Sequence, residues 1–185
     1  MHPLELSVFI FGVFVSTTFA AEPNCAQPPP PANIQQCCNN QVFAELGPKC
    51  VSKIPAATAG MPRPVAMCFG ECMFNETGLS VNGQIQLDKA KSILTEKFKA
   101  IPEFVAPFEQ ALTKCDKIIK ERMASAKPPA NMPPIPCNAM ADIIASCTML
   151  EAFINCPDSK WQNNEACNNA KQYFKSCPMP PPPKA

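Results

Sequence analysis

Residues 68 to 89 read CFGECMFNETGLSVNGQIQLDK, and the first five of these residues carry most of the information about the fold. Cys68 and Cys72 stand four apart, so on a helix both thiols leave one face and reach for neighbouring helices. The stretch Pro64–Phe74 suits a helix, with proline at its start, where the missing N–H costs little. Thr77–Gly83 is polar and glycine-bearing, which predicts a turn. Leu87–Ala100 follows with Ala90, Ile93, Leu94 and Phe98 at helical spacing, and stops before Pro102.

Outward from this stretch the pattern stays helical. Ile34–Leu46 and Lys49–Ala57 predict two short amphipathic pieces separated by Gly47-Pro48. A helix from near Pro107 to about Ala126 puts Phe108, Leu112, Cys115, Ile119 and Met123 on one stripe. Asn138–Asn155 is apolar at Met140, Ile143, Ile144, Cys147, Leu150 and Ile154, and ends at Cys156-Pro157. Ser159–Ser176 predicts a last helix, capped by Ser159 or Asp158, that carries Trp161, Tyr173 and Phe174. No alternating strand with a hairpin turn is read. The expected fold is all-α, a compact bundle of about six to eight short helices. Proline tracts at Pro28–Pro31, Pro128–Pro136 and Pro178–Pro183 favour extended backbone, the first and last as arms of the domain.

Met1–Ala20 reads as a secretory signal peptide: an apolar run from Leu6 to Val15, then Thr18-Phe19-Ala20 with small residues at the cleavage positions. The run is too short to span a bilayer, and no later segment is long and apolar enough. What remains, residues 21–185, is expected to be a single secreted, extracellular domain. Its cysteines agree: Cys25, Cys37, Cys38, Cys50, Cys68, Cys72, Cys115, Cys137, Cys147, Cys156, Cys167 and Cys177 allow up to six bridges, usage that belongs to an oxidising compartment. The only histidine, His2, leaves with the leader. Imidazole-based nucleophilic catalysis is thereby excluded, as are most zinc sites outside four-cysteine ones. Secreted phospholipases, the nearest enzymes in size and bridge density, need a His-Asp pair and a glycine-rich loop that this chain lacks. No enzyme, cofactor or metal is expected. Loss of Glu5 leaves 16 basic and 14 acidic side chains, a balance that gives no case for nucleic acid or an anionic membrane.

The cysteines are read as structural. A four-cysteine metal site is the rival, but the chain has no C-x-x-C. Adjacent Cys37 and Cys38 each bond elsewhere and tie one helix to two partners. The order Cys50-x17-Cys68-x3-Cys72-x42-Cys115-x21-Cys137-x9-Cys147-x8-Cys156-Pro157-x9-Cys167 resembles the Plus-C class of insect odorant-binding proteins. The x3 and x8 intervals and the proline after Cys156 carry the resemblance, together with the text of Cys68–Lys89, which is similar to the family's segment entering its fourth helix. The resemblance implies three interlocked bridges: Cys68–Cys147, Cys72 to a cysteine of the first helix, and a third reaching Cys156. Cys38 and Cys50 both satisfy the first-helix spacing, with Cys38 favoured. Cys115 and Cys137 both fit as partner of Cys156. Cys25 and Cys177 lie outside the motif and are available to pin the arms.

The class binds small hydrophobic ligands in an apolar cavity between helices, so the resemblance implies a chemosensory carrier in sensillum lymph. A chemosensory receptor or a second copy of the chain would be further partners. Ligand pockets are mostly apolar with few orienting polar groups. The candidate wall residues are Phe69, Met73, Phe98, Phe104, Phe108, Leu112, Ile119, Met123, Met140, Ile144 and Phe153, with Trp161 and Tyr173 as polar handles. With no histidine, binding is expected to change little between about pH 7 and 6. The alternative is a secreted disulfide-stapled module that binds another protein, using the proline arms and the amides of Asn163, Asn164, Asn168 and Asn169. Asn75-Glu76-Thr77 is the one N-glycosylation sequon.

Overall fold

The computed structural model describes residues 23–30, 36–38, 41–53, 64–125 and 137–177. Among these the fold is all-α: α1 (Gln41–Lys53), α2 (Pro64–Thr77), α3 (Ala90–Lys97), α4 (Val105–Ser125), α5 (Ala139–Ile154) and α6 (Glu165–Ser176). The leader, the second and third proline tracts, Ile34 and the residues after Lys53 in the expected Lys49–Ala57 piece lie outside the described residues.

Helix α5 is the strut of the assembly, packed on one side by α2 and on the other by α4. It is the most apolar helix and begins on a cap, where the Asn138 side chain accepts the Ala141 N–H at 3.0 Å. Its contact with α2 is made at Gly70. A Cβ there would stand 2.7 Å from Asp142 Oδ1, 2.9 Å from the Asp142 carbonyl oxygen and 2.9 Å from Ala145 Cβ. Only glycine lets the two helices approach this closely.

Several expected boundaries are corrected. α1 runs unbroken through Gly47-Pro48. An interior proline costs about 3 kcal/mol, but α1 is fastened to α2 on both sides of Cys50. The Cys50–Cys72 bridge joins them, and Lys49 and Lys53 both pair with Glu76. α6 starts at Glu165, not Ser159, because Asn164 is the cap, accepting the Cys167 N–H at 2.9 Å. The stretch before it is a 3₁₀ turn, Asp158–Lys160, and then extended backbone at Trp161 that pairs with Cys38. A similar 3₁₀ turn, Leu87–Lys89, precedes α3, and Pro102–Phe104 precedes α4.

The polar turn after α2 is a small hairpin, with Ser80–Val81 (β1) antiparallel to Gln84–Ile85 (β2). Asn82 and Gly83 have φ of 52° and 74°, the two positive values that a two-residue type I′ loop requires. Gly83 is doubly constrained, since a Cβ there would lie 2.1 Å from Asn138 Nδ2.

All twelve cysteines are paired: Cys25–Cys177, Cys37–Cys167, Cys38–Cys156, Cys50–Cys72, Cys68–Cys137 and Cys115–Cys147. Cys37 and Cys38 do go to different partners. Two of the three implied pairings are replaced, and the open choice in the other falls to the less favoured candidate. Cys68 bonds Cys137, not Cys147. Cys72 bonds Cys50, not Cys38. Cys156 bonds Cys38, neither Cys115 nor Cys137. Rotation about α5 explains the first change: at about 100° per residue, Cys147 sits roughly 140° around from Asp142, facing α4 and Cys115 rather than α2. Cys137, just before α5, is left beside Cys68, with Cα atoms 5.5 Å apart. Cys37 and Cys38 lie ahead of α1 and are held against the segment before α6, where the Gln162 N–H donates to the Cys37 carbonyl at 2.8 Å. That location gives Cys38 access to Cys156 and leaves Cys50, fully buried on α1, to meet Cys72. Cys25 and Cys177 bond each other and fasten the N-terminal arm to the end of α6, where the Tyr173 hydroxyl also donates to the Cys25 carbonyl at 3.0 Å.

Two glycine substitutions should differ sharply in their effect on stability. Gly70→Ala gains roughly 0.5–1 kcal/mol of helix propensity but overpacks the α2–α5 contact by about 1–3 kcal/mol, so the net is a loss. Gly47→Ala has open space around its Cβ apart from its chain neighbours, but a Cβ before Pro48 crowds the proline ring in helical backbone. This offsets the propensity gain of about 0.5–1 kcal/mol and should leave stability nearly unchanged. Denaturant midpoints at constant m-value check both.

Candidate functional site

The largest apolar cluster lies among α2, the hairpin, α3, α4 and α5, with the Cys115–Cys147 bridge inside it. Six of the eleven predicted wall residues meet there: Phe98, Phe104, Phe108, Leu112, Ile119 and Ile144, each at most 4% exposed. Phe98 is the hub of its aromatic part. Its ring stacks on Phe104 with centroids 5.9 Å apart and lies tilted against Phe108 at 5.5 Å. Short turns fix these rings. Phe98 closes α3 through an N–H bond to the Leu94 carbonyl, and Phe104 ends the 3₁₀ turn that leads into α4. Met140 packs at the cluster's margin.

The remaining predicted residues lie elsewhere. Phe153 belongs to a second, smaller cluster with the Cys37–Cys167 bridge and Ala170, bordered by Trp161 and Phe174. Met73 is buried and Phe69 half-buried on α2, and neither is part of the two clusters. Met123, 38% exposed, sits near the outer end of α4. Phe74, Leu79 and Leu94 are fully buried in the main cluster but were not among the predicted wall residues. The helical spacing of Leu94 with Phe98 was a usable signal. Leu79 had none, because it stands in what reads as a polar turn.

Two buried threonine hydroxyls beside this interior are already engaged. The Thr148 hydroxyl donates to the Ile144 carbonyl at 2.7 Å, and Thr77 donates to the Met73 and Phe74 carbonyls. The two proposed handles belong to the periphery. The Trp161 indole N–H donates to Asn168 Oδ1 at 3.0 Å beneath the Lys171 ammonium, and Tyr173 serves the N-terminal arm. Two open clefts lie on the surface, one beside the N-terminal arm and Tyr173, the other, mostly polar, beside the hairpin turn.

Asp142 is a buried carboxyl of the site's frame, 4% exposed. Burial pushes its carboxyl up to about 7, against the opposing pull of N–H bonds from Gly70 and Glu71, and the neighbouring Glu71 carboxylate adds to the rise. The Gly70 N–H donates to its Oδ1 at 2.7 Å. The histidine count hides this group: a side chain that titrates near neutrality is present after all. Among the described residues no set of ligating side chains is arranged for a metal ion, and no helix is long and apolar enough to cross a membrane.

An all-α body stapled by disulfides around an apolar interior is consistent with the fold of the insect odorant-binding proteins. Residues 30–173 match the AgamOBP47-like family, and the chain belongs to that family. It is 29% identical over 181 residues to Odorant-binding protein 47 of Anopheles gambiae, an alignment covering 90% of this chain and 78% of that protein. The Plus-C cysteine pattern is consistent with this membership.

The raised carboxyl of Asp142 has a definite sign. The folded state holds a proton that the unfolded chain, titrating near its usual 3.8, has released. This contribution to stability is therefore complete below about pH 4 and is lost as pH rises toward 7, by up to roughly 4 kcal/mol. Asp142→Asn keeps the acceptor for Gly70. It should match wild type near pH 4, exceed it at pH 8, and lack this component of the pH slope in thermal melts.

Proposed function

We propose that this chain is a secreted, non-enzymatic carrier that reversibly binds and solubilises small hydrophobic molecules, such as odorants, pheromone-like compounds or lipids, in chemosensory fluid. On this reading one domain, residues 21–185, follows a cleaved leader. Phe98, Phe104, Phe108, Leu112 and Ile144 form the wall against which the guest lies. The observation that carries it is the aromatic cluster at Phe98 inside a shell whose integrity rests on covalent bridges. Bridges typically contribute about 2–4 kcal/mol each, so such a shell tolerates an interior that parts to admit a guest. Phenylalanine rings offer area without directional demands, which suits a range of apolar ligands. Family membership supports the same conclusion.

Native mass spectrometry of protein secreted from insect cells, before and after delipidation, should reveal co-purified apolar molecules. Delipidated protein should bind an apolar naphthylamine probe at micromolar concentration. Phe98→Leu should weaken probe binding about three- to tenfold, or about 1 kcal/mol, while Val51→Ser, on the exposed face of α1, should leave it unchanged. A delipidated, folded protein with neither guest nor probe affinity would favour the protein-interaction module instead.

A further inference from the structure

The sequon Asn75-Glu76-Thr77 forms the last turn of α2, where the Gly78 N–H donates to the Asn75 carbonyl at 3.1 Å. Asn75 itself is exposed and lines an open cleft of about 520 Å³. The other walls are Glu71 on the same helix, the hairpin turn from Ser80 to Gly83, and Asn138 at the start of α5. These walls are mostly polar. Glu71 and Asn138 are locked together, with the Asn138 backbone N–H donating to the Glu71 carboxylate at 2.8 Å. Ser80 is different. It is 2% exposed, and its hydroxyl has no hydrogen-bond partner among the described residues. A buried unsatisfied hydroxyl is costly; this one lies just beneath the cleft lining, and a turn of the short Ser80 side chain brings it to a polar group seated in the cleft.

We infer that Asn75 carries an N-linked glycan whose first N-acetylglucosamine lies in this cleft and pairs with the Ser80 hydroxyl. The attachment point is at the cleft's own edge, so the first sugar needs no linker to reach it. A pyranose ring with its hydroxyls and acetamide fits a pocket of mixed donors and acceptors better than an apolar guest does. Thr77 dates the modification. Its hydroxyl, which the sequon requires, is 5% exposed and donates to the Met73 and Phe74 carbonyls at 3.0 Å. Transfer therefore precedes the winding of this helix end and its fastening by the Cys50–Cys72 and Cys68–Cys137 bridges. The inference rests on the secretory part of the proposed function.

The test uses the full chain secreted from insect cells. Treatment with a peptide N-glycosidase in ¹⁸O-water should convert Asn75 to labelled aspartate in the peptide that contains it. Secreted, leader-free protein with bare Asn75 overturns the inference and leaves the carrier reading intact; a chain that is never secreted overturns that reading's secretory step as well. The seat of the sugar is tested separately. Asn75→Gln should lower Tm by about 2–4 °C relative to the glycosylated protein, and in a Ser80→Ala background this difference should nearly vanish. An equal difference in both backgrounds would show that the glycan does not use the cleft. Should Asn75→Gln fail to secrete, folded glycoprotein trimmed to one sugar is compared with fully deglycosylated protein, and the same coupling to Ser80 is expected.

Discussion

The close approach of α2 and α5 at Gly70 is the constraint on which the other arrangements hang. A backbone N–H of one helix meets a carboxyl oxygen of the other at 2.7 Å, with no side chain between them. This contact fixes the rotation of α5 about its axis, and that rotation assigns the faces. One side of α5 turns Asp142 and Ala145 to α2. The other turns Cys147 to α4, where it bonds Cys115 inside the apolar cluster. With the faces set, Cys137 lies beside Cys68, and Asn138 lies over the hairpin turn where only glycine fits. The helix contact also explains why a carboxyl group is buried here at all. Burial in this contact raises the affinity of Asp142 for a proton, more than the N–H bonds it accepts from Gly70 and Glu71 lower it.

Much of the fold was legible because it depends on local pattern. The spacing of Phe108, Leu112, Cys115 and Ile119 marked α4, and Asn138 before an apolar run marked the start of α5. The class of protein was legible from cysteine intervals taken as a set. The hairpin was missed: Asn82-Gly83 is a strong short-range hairpin signal, but two-residue strands offer no alternation, and the stretch reads only as a polar turn. The start of α6 was misplaced because two capping signals compete. Ser159 and Asp158 open only a 3₁₀ turn, while Asn164 caps the helix, and Trp161 between them is drawn into pairing with Cys38.

The bridge partners could not be read from spacing. A cysteine's partner depends on which way its helix faces and where the helix ends, quantities set by distant contacts such as Gly70 with Asp142. Cys38 and Cys50 were equally suited to Cys72 by interval, and only the docking of α1 on α2 separates them. The candidate site divides along the same line. Residues on helical stripes, such as Phe98, Phe108, Leu112 and Ile144, converge as their periodicity implies. Met123 shares the α4 stripe, but the stripe outruns the body it packs against and leaves Met123 exposed. Leu79 joins the core through the hairpin, where periodicity carries no information.

The nesting of the bridges bears on how the molecule would withstand proteases. Five of the six, all except Cys50–Cys72, join residues before position 130 to residues after it. A peptide bond cut at that point would therefore leave one covalent molecule rather than two fragments. Its halves would still be held across α2–α5, α4–α5 and both ends of the chain. In an extracellular fluid that contains peptidases and lacks any means of resynthesis, such a molecule keeps its shape after a nick. For this chain, then, a broken backbone and a lost fold would be separate events.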